Sequence, residues 1–274
     1  MNKLHTFLSL KNLDYFIEKF INDKSDFELQ MSSFSAKIKT KESEFIFTKN
    51  IRNKYFFLKY NELISNLNPI SENVNYDFIK YYDTGFNKNE YNFDFIYQVD
   101  IKNCYPSILL NNNIISNKIY DSFQSLNKKD RLALIGMLAK RKNVFKFEKG
   151  IIVEFYEDKN KNSDYFFYCV QKTYQIISEI KSIIQSGYLF SWVDAIYFTQ
   201  KSDIKLISDF LNDKYNLSCS VCELKKFSCI LNKNHYKLKY IKNNEDITMN
   251  VPLIYNNEKT IIKNYLLNKK YEQE

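Results

Sequence analysis

Apolar positions along the chain change period several times, and each change marks an element. Leu4, Phe7, Leu8, Leu13, Phe16, Ile17, Phe20 and Ile21 fall at helical spacing and predict one or two amphipathic helices over 4–22. From Phe45 to Leu58, strand-like apolar runs mix with basic residues, and Asn61 to Leu67 reads as a short helix ahead of Pro69. Phe95 to Tyr97 belongs to a buried strand. Residues 107–150 read as largely helical, with Leu132, Leu134, Ile135 and Leu138 on the apolar face. Phe145 to Tyr156 then reads as a strand, Asp158 to Asp164 as a polar turn and Tyr165 onward as its return. Tyr168 to Ile184 is a clear amphipathic helix, with Val170, Tyr174, Ile177, Ile180 and Ile184 inward and Gly187 as its stop. Phe190 to Phe198 favours a strand, Ile204 to Tyr215 a helix, and Leu217 to Leu231 two further strands.

Two carboxylates break this pattern. Asp100 ends the strand Val99-Asp100-Ile101 and leads into Lys102-Asn103-Cys104-Tyr105-Pro106-Ser107-Ile108, while Asp194 interrupts Phe190-Ser191-Trp192-Val193-Asp194-Ala195-Ile196-Tyr197-Phe198. A buried charge is unfavourable unless it is paired or binds a metal. Two strands carrying one such Asp each can share a pair of hard cations. Mg²⁺ is commonly held by one or two carboxylates plus substrate phosphates, and two such ions clamp the attacking and leaving oxygens of a phosphoryl displacement. The pattern therefore points to nucleotidyl transfer. Taken alone, Asp100 reads better as the cap of a helix that starts nearby, and the second carboxylate turns that reading.

Composition narrows the class. With 274 residues, 45% hydrophobic and 17% aromatic, the chain can bury a substantial core and is not disordered by default. A net charge of +8 favours a polyanionic partner, although Lys, Asn, Ile and Tyr enriched together is also the drift of an AT-rich genome. Four glycines and three prolines imply long regular elements. No apolar run is long enough to span a bilayer, and Met1-Asn2-Lys3-Leu4-His5 lacks the apolar core of a signal peptide, so no membrane association and a cytoplasmic location are expected. Cys219, Cys222, Cys229 and His235 match no standard zinc spacing, and reduced, largely buried cysteines are expected.

Asp100-Ile101-Lys102-Asn103-Cys104-Tyr105-Pro106-Ser107-Ile108 resembles motif A of bacterial reverse transcriptases, and Trp192 to Phe198 resembles their Tyr-x-Asp-Asp box, with Trp for Tyr and Ala195 for the second Asp. The helix Ile204 to Tyr215, then Asn216 to Cys219 and Lys225-Lys226, is similar to motif D, and Leu238 to Ile241 to the primer-grip hairpin. The likeness spans roughly residues 45–242. The Gly-x-Pro-Gln-Gly turn of motif B is absent, and Lys146 to Gly150 stands in that region. Family B DNA polymerases also share the Tyr-Pro-Ser-Ile ending.

The resemblance implies an α+β polymerase right hand, with an antiparallel palm sheet backed by helices and a thumb reduced or absent. Its expected spans are an N-terminal helical extension over 1–44, fingers over 45–98, a palm over 99–242 with an insert near 143–165, and a short tail over 243–274. It implies that Asp100, the carbonyl of Ile101 and Asp194 hold Mg²⁺ or Mn²⁺, and that Tyr105 lies under the incoming sugar and selects deoxynucleotides. Lys49, Arg52 and Lys54 are candidates for the triphosphate, with an exposed basic strand edge the equal alternative, and Lys225 or Lys226 for protonating pyrophosphate. Arg131, Lys140, Arg141 and Lys142 offer phosphate contacts to a template, or else a solvated basic face. RNA and DNA, dNTPs and a partner protein or second copy are the expected partners. Compact bacterial relatives often serve in anti-phage defence, with a non-coding RNA or a second polymerase. The alternative reading is a degenerate palm that binds RNA or a partner polymerase as a scaffold.

Overall fold

The computed structural model describes residues 4–32, 35–48, 54–74, 86, 88–139, 141–184, 187–232 and 235–252. The elements begin with β1 (Leu4–Ser9), α1 (Leu13–Asn22), β2 (Phe27–Met31), β3 (Ser35–Lys39), β4 (Ser43–Thr48) and α2 (Lys54–Ile64). Next come β5 (Glu90–Ile101), α3 (Cys104–Asn111), α4 (Asn117–Gln124), α5 (Lys128–Leu138), β6 (Arg141–Glu148) and β7 (Ile151–Lys159). The last are α6 (Ser163–Ile184), β8 (Tyr188–Trp192), β9 (Ala195–Phe198), α7 (Asp203–Tyr215), β10 (Cys219–Asn232), β11 (His235–Lys242) and β12 (Glu245–Pro252). One compact unit joins Met1–Asn61 to Leu132–Asp164, and a second joins Glu62–Arg131 to Tyr165–Tyr255.

The first unit rests on a six-stranded sheet of order β1-β4-β3-β2-β6-β7, in which only the β1–β4 pair is parallel among the described strands. Alternation sets its inner face: Phe27 and Leu29 on β2, and Ala36 and Ile38 on β3, are buried. α1 covers that face with Leu13 and Ile17, while Phe16 and Phe20 pack on Phe27, Phe45 and Phe47. At the β6–β7 turn Gly150 has φ 80°, and a Cβ there would meet the Ile21 carbonyl oxygen at 2.5 Å. Glycine is required by both conformation and space.

Several expectations from sequence need correction: Tyr55 to Leu58, read within strand-like runs, lie in α2, and Tyr165 onward, read as a returning strand, lies in α6. Leu4 to Ser9 is a strand rather than the start of a helix, because its backbone pairs with β4 and a 3₁₀ turn at Leu10–Asn12 separates it from α1. Residues 141–144 are a strand rather than helix, since Asn143 and Val144 pair with Met31 and Gln30 of β2 at the start of β6. The strand read over Phe145 to Tyr156 is two strands folded back at Lys149 and Gly150.

In the second unit the sheet order is β12-β11-β10-β5-β9-β8, and every neighbouring pair is antiparallel. With α3, α4, α5, β6 and β7 inserted between β5 and α6, the elements β5, α6, β8, β9, α7 and β10 run as β-α-β-β-α-β, the split β-α-β connectivity that puts the first strand between the third and the fourth. β5 is therefore central, and Ile96, Gln98 and Asp100 alternate to one face while Tyr97, Val99 and Ile101 take the other. A core of Phe86, Ile96, Phe190, Tyr197, Leu224, Phe227, Leu238 and Tyr240 holds the sheet together. Phe190 and Tyr197 stack with centroids 4.0 Å apart and planes 8° off parallel. The stretch read as two strands over 217–231 forms the single strand β10 from Cys219, with Lys226 at φ 51° where its register against β11 shifts. The architecture is α+β.

Phe190 is fully buried, so Phe190→Ala is expected to lower the unfolding free energy by about 3–5 kcal/mol in urea titration. A loss below about 1 kcal/mol would contradict this packing.

Candidate functional site

Register builds the site. Trp192 pairs with Ala195 across the β8–β9 hairpin, which leaves Val193 and Asp194 as its two-residue turn. Ala195 in turn lies opposite Asp100 on β5, and the Ile101 N–H donates to the Asp194 carbonyl at 3.1 Å. Asp100 and Asp194 thus stand at the same end of two adjacent strands. Both are half-buried. The Asp194 carboxyl is pushed up to about 6, first by burial and next by the charge of Asp100. Its own backbone N–H and the Lys128 ammonium oppose that rise.

The turn itself is strained. Val193 has φ 57°, the β-branched member among the described non-glycine residues in the left-handed region, and it is 44% exposed. No burial of its side chain compensates a conformation that L residues with a branched Cβ avoid. Such strain gathers where a structure over-determines a functional geometry.

Below the pair, Asn103 at φ 47° turns the chain from β5 into α3. Cys104 is buried there with Sγ 3.3 Å from Thr173 Oγ1 of α6, and the Thr173 hydroxyl donates to the Cys169 carbonyl at 2.8 Å. Burial pushes the Cys104 thiol up, and Asp194 and Asp100 add to the rise against the Thr173 contact. Tyr105 follows in the first turn of α3, edge-on to Phe166 at 5.5 Å. On the Asp100 face of β5, Gln98 is buried and its Oε1 accepts from Lys242 Nζ at 2.9 Å. Tyr197 lies opposite Gln98 and is hydrogen-bonded to Tyr240, while Ser220 lies opposite Asp100.

Asp100, Ile101, Tyr105 and Asp194 therefore share one locality. Lys225 does not join them: it pairs with Phe95, and Ser220 pairs with Asp100, so it sits about 16 Å away along the strand at the usual rise per residue. Lys142 is 3.8 Å from Asp158 within the β6–β7 hairpin of the first unit. Arg131 donates to Gln124. Lys54 opens α2 and Arg141 opens β6, whereas Lys49, Arg52 and Lys140 lie outside the described residues. Sequence reasoning missed Gln98, Lys242, Lys128, Asn103 and Gln124. Gln98 carried a signal, an amide one strand period before Asp100 in a run otherwise apolar; the others are brought in by tertiary pairing alone.

The donor set suits a hard cation. Among the described residues no group of three or more His, Cys, Asp or Glu side chains gathers. Two carboxylates with a backbone carbonyl leave the remaining positions to water and phosphate oxygens, the habit of Mg²⁺. Burial is the main cause of the raised Asp194 carboxyl, and the repulsion from Asp100 that adds to it is what a bound cation relieves.

The pH dependence has a definite sign. A free Asp titrates near 3.9 and folded Asp194 at about 6, so the folded state holds more protons between those values. Its contribution to stability falls as pH rises through that window and is lowest above it. Asp194→Asn is therefore expected to raise the metal-free Tm relative to wild type at pH 8 and to leave it unchanged near pH 3.5. A difference independent of pH would contradict the coupling. Val193→Gly, which relieves the left-handed strain, is expected to stabilise the protein by about 1 kcal/mol in the same melts; destabilisation would show that the turn is unstrained.

None of the described helices is long and apolar enough to cross a membrane. No protein-family model matches the chain, and no curated protein matches its sequence.

Proposed function

We propose that the second unit is the palm of a right-hand polymerase and that the protein is a reverse-transcriptase-like nucleotidyltransferase, building DNA from dNTPs with Mg²⁺ or Mn²⁺. The observation that carries this reading is the placing of Asp100 and Asp194 at one end of β5 and β9, close enough for the charge of Asp100 to help raise the Asp194 carboxyl. The central position of β5, between the hairpin bearing Asp194 and the long strand β10, supports it.

In this reading Asp100 and Asp194 hold the cations and the Ile101 carbonyl assists. When bound, the cations favour the ionised 3′-hydroxyl and offset charge on the departing pyrophosphate. Asp194, with its carboxyl at about 6, is an anionic ligand at neutral pH and is lost as a ligand in mild acid. The pairing of Trp192 with Ala195 holds the backbone of the Val193–Asp194 turn before substrate arrives, so little backbone reorganisation remains. Tyr105, three residues beyond Lys102 and braced by Phe166, serves the sugar. Nucleic acid, an RNA or primer-template, and a partner protein complete the assembly, in a role in defence against phage.

A scaffold reading is favoured by one observation: Ala195, buried directly opposite Asp100, puts a methyl group where a further carboxylate would strengthen metal binding. One assay separates the two. Purified protein is given labelled dNTPs or rNTPs with Mg²⁺ or Mn²⁺, with and without co-purifying RNA and added primer-template. Wild type is expected to build DNA, and Asp100→Ala and Asp194→Ala to reduce incorporation at least about a hundredfold. An inert wild type that still retains RNA or a partner would establish the scaffold.

A further inference from the structure

The exposed faces of the two sheets differ in how their charges are arranged. In the first unit, register sets Glu44, Lys39, Glu28, Lys146 and Glu154 side by side across β4, β3, β2, β6 and β7, with signs alternating. Lys37 is bonded to Glu44 at 3.0 Å, Lys39 to Glu28 at 3.0 Å and Lys146 to Glu154 at 2.6 Å. That face is neutralised by its own residues, and an outside anion gains little there.

In the second unit the face turned away from Asp100 is arranged otherwise. Tyr236, Leu238 and Tyr240 of β11 and Leu224 of β10 point into the core that Ile96 joins from the Asp100 face. Alternation turns Lys225, Lys237 and Lys239 to the opposite side, where all three are exposed. Lys225 lies opposite Phe95 and Ile241, Lys239 opposite Ser228 and Thr248, and Lys237 opposite Ile230 and Asn250. At ordinary sheet spacing the three form a stripe with neighbours about 7–8 Å apart. Helix α7 reaches the same face toward Cys219, whose Sγ lies 3.4 Å from Ser208 Oγ. At the lysine end, Phe95 is 54% and Ile230 50% exposed.

Among the described residues none of these three lysines makes an ion pair. Glu90, Glu223 and Asp246 stand at the margins of the face, and Glu90 is bonded to Asn92 at 2.9 Å. A stripe of like charges is self-repelling, and an anion from outside relieves it. Protein interfaces are depleted in lysine and apolar at their centre, whereas here lysine holds the centre. Ser228, Thr248 and Asn250 add the neutral groups that bond phosphate oxygens. Phe95 offers its ring to an unstacked base. A duplex keeps its bases stacked inside and leaves that ring unused.

We propose that this face binds a single strand of nucleic acid, with Lys225, Lys237 and Lys239 on its phosphates and Phe95 under one base. The strand lies on the side of the sheet away from Asp100 and Asp194, so it is distinct from any strand at the carboxylates. The site goes beyond nucleotidyl transfer and stands whether or not the carboxylates catalyse it.

The test is fluorescence anisotropy of the full chain with a labelled single-stranded RNA, the same sequence as DNA, an RNA duplex and a labelled polyglutamate, each over a salt series. EDTA is present throughout, to remove the cations that a strand at the carboxylates would use. Wild type is expected to bind both single strands more tightly than the duplex. Lys225→Gln, Lys237→Gln and Lys239→Gln combined are expected to weaken single strands at least tenfold and to lower the salt slope by about 2, at about 0.7 per phosphate contact. The corresponding Arg replacements are expected to retain affinity. Phe95→Ala is expected to weaken single strands about tenfold with the salt slope unchanged, and Phe95→Trp to retain binding. Circular dichroism confirms that each variant is folded. Unchanged single-strand affinity in the triple Gln variant or in Phe95→Ala overturns the inference, as does an equal loss for the duplex. Polyglutamate bound more tightly than RNA, and lost in the triple variant, assigns the face to an acidic protein and overturns it too. So does a wild type that binds no strand.

Discussion

Two like charges held at the ends of adjacent strands are the constraint on which the second unit depends. The register of β5 against β9 leaves Asp100 and Asp194 no freedom to separate, because Asp100 faces Ala195 and the Ile101 N–H is bonded to the Asp194 carbonyl. Repulsion and burial together raise the Asp194 carboxyl, and the hairpin adds a left-handed valine. These unfavourable terms are carried by the aromatic core beneath, where Phe190, Tyr197 and Phe227 lock the same strands. A site assembled from sheet register is rigid by construction, since slipping one residue would turn every side chain to the other face.

The carboxylate pair was legible in the sequence for that reason. Asp100 and Asp194 each stand out in an apolar, β-favouring run, and strand periodicity alone brings them forward. The helix α6 and the helix α7 were legible too, through unbroken helical spacing over Tyr168 to Ile184 and Ile204 to Tyr215. The first unit was not. Leu4 to Ser9 carries apolar residues compatible with either period, and only pairing with β4 decides for a strand. Asn143 and Val144 likewise read as helix continuation until Met31 and Gln30 of β2 supply their partners.

The same distinction runs through the site. Side chains that act through their own strand, Asp100, Asp194 and Gln98, leave a local trace in the sequence. Those that arrive from elsewhere leave none: Lys242 reaches Gln98 from a strand 144 residues further along, and Arg131 is bound to the Asp100 turn only through Gln124. Lys225 shows the converse. Its place in the motif order suggested chemistry, whereas its strand pairing puts it well along the strand from the carboxylates. Motif order fixes which strand a residue is on, and register fixes whether it reaches the reaction.

The central claim is that Asp100 and Asp194 act jointly on one divalent-cation site. Water-proton relaxation enhancement by Mn²⁺ with dATP reports a protein-bound ternary complex directly, without requiring turnover. The account predicts strong enhancement with wild type at pH 8, its loss on acidification through about pH 6, and its loss in Asp100→Ala and in Asp194→Ala alike. Equal enhancement in wild type and both variants would contradict it.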